Sequence, residues 1–243
     1  MTVVYGIVPA ETPLDGVPAG IGGAPVGRVV SGELAALVSP VEGEELRATR
    51  RDLLSHSAVL ERAIAAGPVL PLRFGIVLRD EDAVAQELLE PRRDELTALL
   101  ERFERLVELR VKAFYDEEAV LREIVRSDPA IARLNEATRG ASDAAAQPQR
   151  VRLGEAVARG LEATREGDSR TIFARLRPLA EDAVVEEGES SLAFTASFLV
   201  DRGRVEAFDK AMDELAREHE GRITFKYLGP LPPHSFVSLQ EDG

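Results

Sequence analysis

The sequence predicts an α+β protein of two units, and three observations carry the prediction. Near the start, Val3, Tyr5 and Ile7 alternate with Val4, Gly6 and Val8, apolar on both faces, as in a central strand covered on both sides. A hairpin follows, because VGRVV (residues 26–30) and ELAALV (residues 33–38) flank the two-residue spacer Ser31-Gly32. From Arg105 a second strand-and-helix set begins, with Val107, Leu109, Val111 and Ala113 on one face and Glu108, Arg110 and Lys112 on the other. At 243 residues the chain can bury two modest cores. The expected division is residues 1–104 and residues 105–243, with a proline-rich tail over 229–243.

Composition narrows the function classes. Acids outnumber bases 43 to 30, for a net charge of -13, so the average field repels nucleic acid and anionic lipid and tolerates a basic partner. The chain has no cysteine, which removes disulfides, thiolate catalysis and thiolate metal sites and fits a reducing cytoplasm. MTVVYGIVPAETP has no basic n-region and reads as a strand entering a loop, not as a signal peptide. No apolar run approaches the roughly 20 residues that span a bilayer. A cytoplasmic protein is expected, with no nucleic acid and no membrane among its partners.

In chain order, ETPLDGVPAGIGGAP is a loop, since no helix with a further fingerprint glycine follows GIGGAP. A helix is predicted from about Glu44 to Ala66, with Leu53, Leu60, Ala63 and Ile64 on its apolar stripe and Gly67-Pro68 ending it. His56 lies on that stripe and reads as a packed, hydrogen-bonded core residue with no second histidine beside it. Residues 69–78 form a strand broken by Pro71, which restricts it to an edge, an end or a bulge. Asp80, Glu81 and Asp82 then open a helix, as Asp116, Glu117 and Glu118 open a later one, each set offsetting exposed N–H groups. Pro91 restarts the first of these.

Residues 129–180 read as a helical insertion interrupted by a mobile piece, TRGASDAAAQPQ. EDAVVEEGES reads as an acidic linker. SLAFTASFLV is the clearest strand, and Asp201 is placed to cap the amphipathic helix after it, which carries Val205, Phe208, Met212, Leu215, Ala216 and His219 and closes at Gly221. Ile223, Phe225 and Tyr227 form the last strand before the tail GPLPPHSFV. The first unit's order of strand, hairpin, helix, strand and helix resembles a modified ferredoxin-like unit.

Chemistry is sparse. The three histidines, His56, His219 and His234, stand far apart in sequence, there is no Gly-Lys pair for a phosphate loop, and H-E-x-x-H and G-x-S-x-G are missing. No catalytic residue, cofactor-binding residue or metal ligand is assigned, and no cofactor is expected. Two segments stand out instead. PLRFG places Arg73 between Leu72 and Phe74 in an otherwise strand-forming run, with Pro71 before and Gly75 after. In the tail, Gly229, Pro230, Pro232 and Pro233 stiffen the chain while Leu231 and Phe236 give it something to bury.

YGIV, VLPLRFGIVLRDEDAV, FLVDRGRVEAF and GPLPPHSFV, in this order over nearly the whole chain, resemble the gas vesicle protein F/L family (GvpF/GvpL). Many relatives carry tyrosine where His234 stands. The resemblance implies a non-enzymatic accessory or minor structural protein of gas vesicles, with an N-terminal ferredoxin-like domain, a C-terminal α+β domain and a tail. It also implies binding to the hydrophobic shell protein GvpA and to other Gvp proteins. Pro71, Arg73, Phe74, Gly75, Gly229, Pro230, Pro232, Pro233 and Phe236 are the structural or partner-contact candidates. An unpaired guanidinium is costly in a low-dielectric site, so Arg73 is expected to pair within the protein. The alternative function is a small-molecule-sensing regulatory module, with residues 16–23 as its binding loop.

Overall fold

The computed structural model describes residues 1–41, 48–139, 143–186 and 192–237. By contacts these form two compact units. The first comprises Met1–Leu109, Leu199–Gly203 and the described residues from Leu228 on, and the second comprises the described residues of Arg110–Phe198 and Arg204–Tyr227. The tail, expected to belong with the C-terminal half, therefore groups with the first unit.

The first unit contains β1 (Thr2–Pro9), β2 (Gly27–Ser31), β3 (Leu34–Pro40), α1 (Arg50–Ala66), β4 (Leu70–Pro71), β5 (Val77–Leu78), α2 (Glu81–Ala83) and α3 (Arg93–Arg102). The sheet order is β2-β3-β1-β4, with β5 also on β1, and every pairing is antiparallel. β1 is central, and every residue from Thr2 to Val8 is buried. In the hairpin, Ser31 pairs with Leu34 and Gly32 takes a φ of 62°. Gly6 is required by closeness: a Cβ there would lie 2.8 Å from the Leu70 carbonyl oxygen and 2.9 Å from Cδ2 of Leu60 on α1.

Beside it, the Tyr5 hydroxyl donates to Ser39 Oγ at 3.0 Å and accepts from the Ile21 N–H at 2.9 Å. Ser39 Oγ in turn donates to the Pro25 carbonyl at 3.0 Å. The glycine-rich loop is thus tied to the first strand. A Cβ at Gly20 would fall 2.1 Å from the Tyr5 oxygen, so that glycine serves the loop's close approach.

α1 starts behind a cap that its apolar pattern does not reveal. Thr49 accepts from the Asp52 N–H at 3.2 Å and donates to Asp52 Oδ2 at 2.6 Å. The predicted start at Glu44 lies outside the described residues. The stripe is His56, Val59, Leu60, Ala63 and Ile64; Leu53, assigned to it from sequence, is instead 44% exposed. Asp80 caps α2, accepting from the Ala83 N–H at 2.8 Å. The helix then widens over Val84–Leu89, where the Glu90 N–H reaches back five residues to the Ala85 carbonyl at 2.9 Å, before Pro91 forces the restart.

The remaining elements are β6 (Leu106–Tyr115), α4 (Glu117–Ser127), α5 (Pro129–Thr138), α6 (Asp143–Leu176), β7 (Asp182–Val185), β8 (Leu192–Asp201), α7 (Val205–Glu218) and β9 (Ile223–Leu231). The second sheet has the order β7-β8-β6-β9. Asp116 caps α4 and Asp128 caps α5, as short aspartates at helix starts do. α4, α5 and α6 share a small core of Val120, Ile124 and Ile131, and Gly160 lets α6 approach so closely that a Cβ there would meet Ile124 Cγ2 at 2.7 Å.

Three expectations are corrected here. The piece read as a mobile break is helical from Asp143 onward, because an alanine run favours helix and α6 extends through Pro148; residues 140–142 lie outside the described residues. The acidic linker contains β7, an edge strand whose Glu186 N–H donates to the Thr195 carbonyl at 3.0 Å. Asp201 caps the tight turn before α7 and not the helix itself, accepting from the Gly203 N–H at 2.8 Å.

Polar clamps fix the second unit. Arg222 grips Asp168 with two N–H groups at 3.0 and 2.9 Å and donates through Nε to Glu123 at 2.6 Å, while the Tyr115 hydroxyl donates to the same Asp168 at 2.6 Å. The Tyr227 hydroxyl donates to Asp209 on α7 at 2.6 Å. On the apolar side, Phe198 of β8 meets Phe208 of α7 with ring centroids 5.3 Å apart.

The close approach at Gly6 gives a test. Gly6→Ala has to displace Leu60 or the Leu70 backbone, and it is expected to destabilise by about 1–3 kcal/mol in urea unfolding.

Candidate partner-contact site

Pro71 and Leu70 pair with Gly6 and Ile7 of β1, and Val77 and Leu78 resume the pairing with Val3 and Thr2. Between the two pieces, the Leu72 N–H donates to the Tyr5 carbonyl at 2.9 Å and the Val4 N–H donates to the Ile76 carbonyl at 3.0 Å. Those two bonds leave Arg73, Phe74 and Gly75 with no place in the ladder. They form a three-residue bulge on an edge, where a proline is tolerated. Gly75 has a φ of 98° with open space around it, so its backbone conformation, not crowding, demands glycine.

The bulge overturns the expectation for Arg73. Its side chain is exposed and makes no hydrogen bond or ion pair with any described residue. Pairing stops at Leu72, so position 73 leaves the sheet, and the guanidinium stays hydrated where it needs no internal carboxylate. Its mount is nonetheless firm. Leu72 is buried, and the half-buried Phe74 meets His56 edge-on at 5.7 Å between centroids. His56 in turn lies 5.4 Å from the Tyr5 ring.

The tail comes to the same neighbourhood. β9 runs through Gly229 and Pro230 to Leu231, beyond the end expected from the alternation. Gly229 has a φ of 151°, and a Cβ there would lie 2.5 Å from Leu109 Cδ2. Pro232 and Pro233 are buried, and a turn follows in which the Val237 N–H donates to the Pro233 carbonyl at 3.1 Å. Phe236 and Val237 pack against the core that includes Leu100, Phe103 and Leu199. Glu108, read from sequence as a solvent-facing residue, is fully buried: Ser235 donates its N–H to Oε2 at 2.8 Å and its hydroxyl to Oε1 at 2.9 Å. Nothing local to β6 signals this, since the covering segment arrives from 127 residues away.

His56 is the hinge of this neighbourhood. It is 5% exposed and its Nε2 has no hydrogen-bond partner, against the expectation of a hydrogen-bonded core residue. Burial, and then the nearby charge of His234, lower its pKa to about 4. A second histidine therefore does act on it. Of the sequence-selected residues, Phe74 meets His56 directly, while the tail's Phe236 packs on the core that also holds Leu72.

The loop at residues 16–23 is occupied with the fold. Its Ile21 N–H is bound by Tyr5, its Gly22 N–H donates to Asp52 at 3.4 Å, and Arg62 donates to the Asp15 carbonyl. Among the described residues no three His, Asp or Glu side chains converge to hold a metal, and no helix is long and apolar enough to cross a membrane.

A family model described as gas vesicle synthesis protein GvpL/GvpF matches residues 1–238. The chain belongs to the GvpL/GvpF family. Gas vesicle protein F of Streptomyces sp. (strain CB03234) is 40% identical over 243 residues, covering 97% of this chain and 99% of that protein. Gas vesicle protein L of the same strain is 28% identical over 253 residues, covering 95% and 91%. The crystal structure of GvpF from Anabaena sp. PCC7120 superposes with a TM-score of 0.81 at 25% identity, over 99% of this chain and 97% of that one. The family resemblance carried by the four sequence motifs is thereby borne out, and with it a gas-vesicle-related role. The mixed helix-and-strand fold with two sheets also matches the GvpF structure. Within the GvpL/GvpF chain, the bulge and the tail are among the places where the motifs meet the surface.

Two outcomes test this geometry. Ser235→Ala removes one bond to the buried Glu108 carboxyl and is expected to cost about 1–2 kcal/mol, read by urea unfolding. The folded chain keeps His56 neutral, whereas the unfolded chain takes up a proton near the ordinary value of 6.5. The His56 contribution is therefore fully present above that pH and is lost as pH falls toward 4, a difference of about 3 kcal/mol. His56→Phe, which keeps the aromatic contacts, is expected to flatten that part of the stability-versus-pH curve.

Proposed function

We propose that this chain is a cytoplasmic gas vesicle assembly or minor structural protein that binds the hydrophobic shell protein GvpA and other Gvp proteins, acting by surface contact and not by catalysis. The observation that carries the reading is the Arg73 bulge. A guanidinium without a described carboxylate partner, in a chain with an excess of acids, stands on a rigid mount of Leu72, Phe74 and His56. An exposed cation fixed in place offers a partner a bond at little cost in order. A shell subunit with an apolar face needs cover before it is incorporated, and a bulged edge with a buried apolar base suits that task.

The surroundings of the histidines support a non-enzymatic reading. His56 is packed among rings, His219 lies beside Phe225, and His234 is exposed in the tail turn. We also read both sheets as ferredoxin-like: each places its first strand between its third and fourth, and the first unit replaces the helix after β1 with the glycine-rich loop.

The experiment is co-purification. The full chain bearing an affinity tag is expected to retain GvpA. Arg73→Ala is expected to lose most of it while unfolding within about 0.5 kcal/mol of the parent. Equal retention by the variant would remove Arg73 from the contact, and no retention by the parent would remove GvpA as the partner.

A further inference from the structure

β9 ends the second sheet, so among the described residues its outer edge has no neighbour. Ile223, Thr224, Phe225, Lys226 and Tyr227 give it five residues without proline before Pro230, the strand's one proline. The sheet face next to that edge is cationic. Lys226 places its ammonium over the Phe114 ring at 5.0 Å, which puts β9's Lys226 and β6's Phe114 on one face. Strand alternation puts Lys112 and Arg110 of β6 on the same face. Arg110 donates through Nε to Ser197 Oγ on β8 at 3.2 Å, which holds it along the sheet. The carboxylate in this series, Glu108, is buried at the far end and bound to Ser235.

In a chain of net charge -13, carboxylates are abundant, yet Lys112 and Lys226 make no ion pair with any described residue. A half-buried and an exposed ammonium therefore flank an aromatic ring beside an open strand edge. We propose that this edge and face dock an extended acidic segment of a partner protein, which adds a strand to β9 and directs alternate carboxylates at Lys226 and Lys112. Main-chain bonds supply the pairing and the period of two supplies the register. The local field attracts what the average field repels, and that contrast makes the site selective. A single-stranded nucleic acid could also stack on Phe114, but its continuous charge opposes the whole chain. This proposal stands apart from the GvpA reading, which concerns the other unit.

The test uses the full chain and a fluorescein-labelled nine-residue peptide alternating glutamate and valine, followed by anisotropy at low and at physiological salt. Binding that weakens with salt is expected, and Lys112→Glu with Lys226→Glu is expected to weaken it by about tenfold or more while the circular dichroism spectrum is retained. The same peptide N-methylated at alternate residues is expected not to bind. Equal binding of a lysine-valine peptide, indifference to the two substitutions, or full binding of the N-methylated peptide would each overturn the proposal. Tighter binding of a single-stranded oligonucleotide, or a concentration-dependent dimer that the substitutions abolish, would do so in favour of a different occupant.

Discussion

The first unit depends on one strand being buried on both faces. Because β1 has β3 along one side and β4 and β5 along the other, its side chains have to satisfy a core above and below, and the hydroxyl buried at its middle must be bonded. Tyr5 meets that condition by donating to Ser39 and accepting from Ile21, and in doing so it ties down the long loop that follows β1. Gly6, next to it, is what allows α1 to come close. Adjacent residues of one strand thus set both the loop and the helix, which also bond to each other through Gly22 and Asp52.

The same strand explains the bulge. A β1 that supplies only Val4 and Tyr5 between its two edge pairings cannot accommodate the five residues from Leu72 to Ile76 in register. The surplus leaves the sheet, and it carries Arg73 with it. An arginine in an apolar run is therefore not a buried charge awaiting a partner. It is a residue expelled from the ladder by the pairing of its neighbours, held close to the core by Phe74 but itself in water.

How much of this could be read from residues alone follows from how local each cause is. The central strand, the hairpin about Ser31-Gly32, the Asp80 and Asp116 caps and most of the stripe of α7 each rest on contacts within a few positions, and the sequence shows them, although Ala216, expected on that stripe, is exposed and Ala211 is buried instead. β7 was hidden because an edge strand of Asp182 to Val185 need not alternate clearly, and its acids resemble a linker. Glu108 was hidden because the residue that binds it is Ser235, and no pattern in β6 announces the arrival of a tail. Arg73 was misplaced because register, not composition, decides whether a residue stays in a ladder. The packing of Phe236 on the core that holds Leu72 has the same origin: it depends on distances along the chain that periodicity does not encode.

The tyrosines of the two units differ in what accepts their hydroxyl proton. The chain has no tryptophan and only three tyrosines, one of them Tyr5 in the first unit and the other two, Tyr115 and Tyr227, in the second. Both of the latter donate to carboxylates, which drain the excited state of a phenol by taking its proton, whereas Tyr5 donates to a serine. Intrinsic emission from the folded chain is then dominated by the first unit. Light that brightens in denaturant at constant temperature reports the second unit letting go of Asp168 and Asp209, so the two halves of this molecule carry distinguishable optical labels of their own.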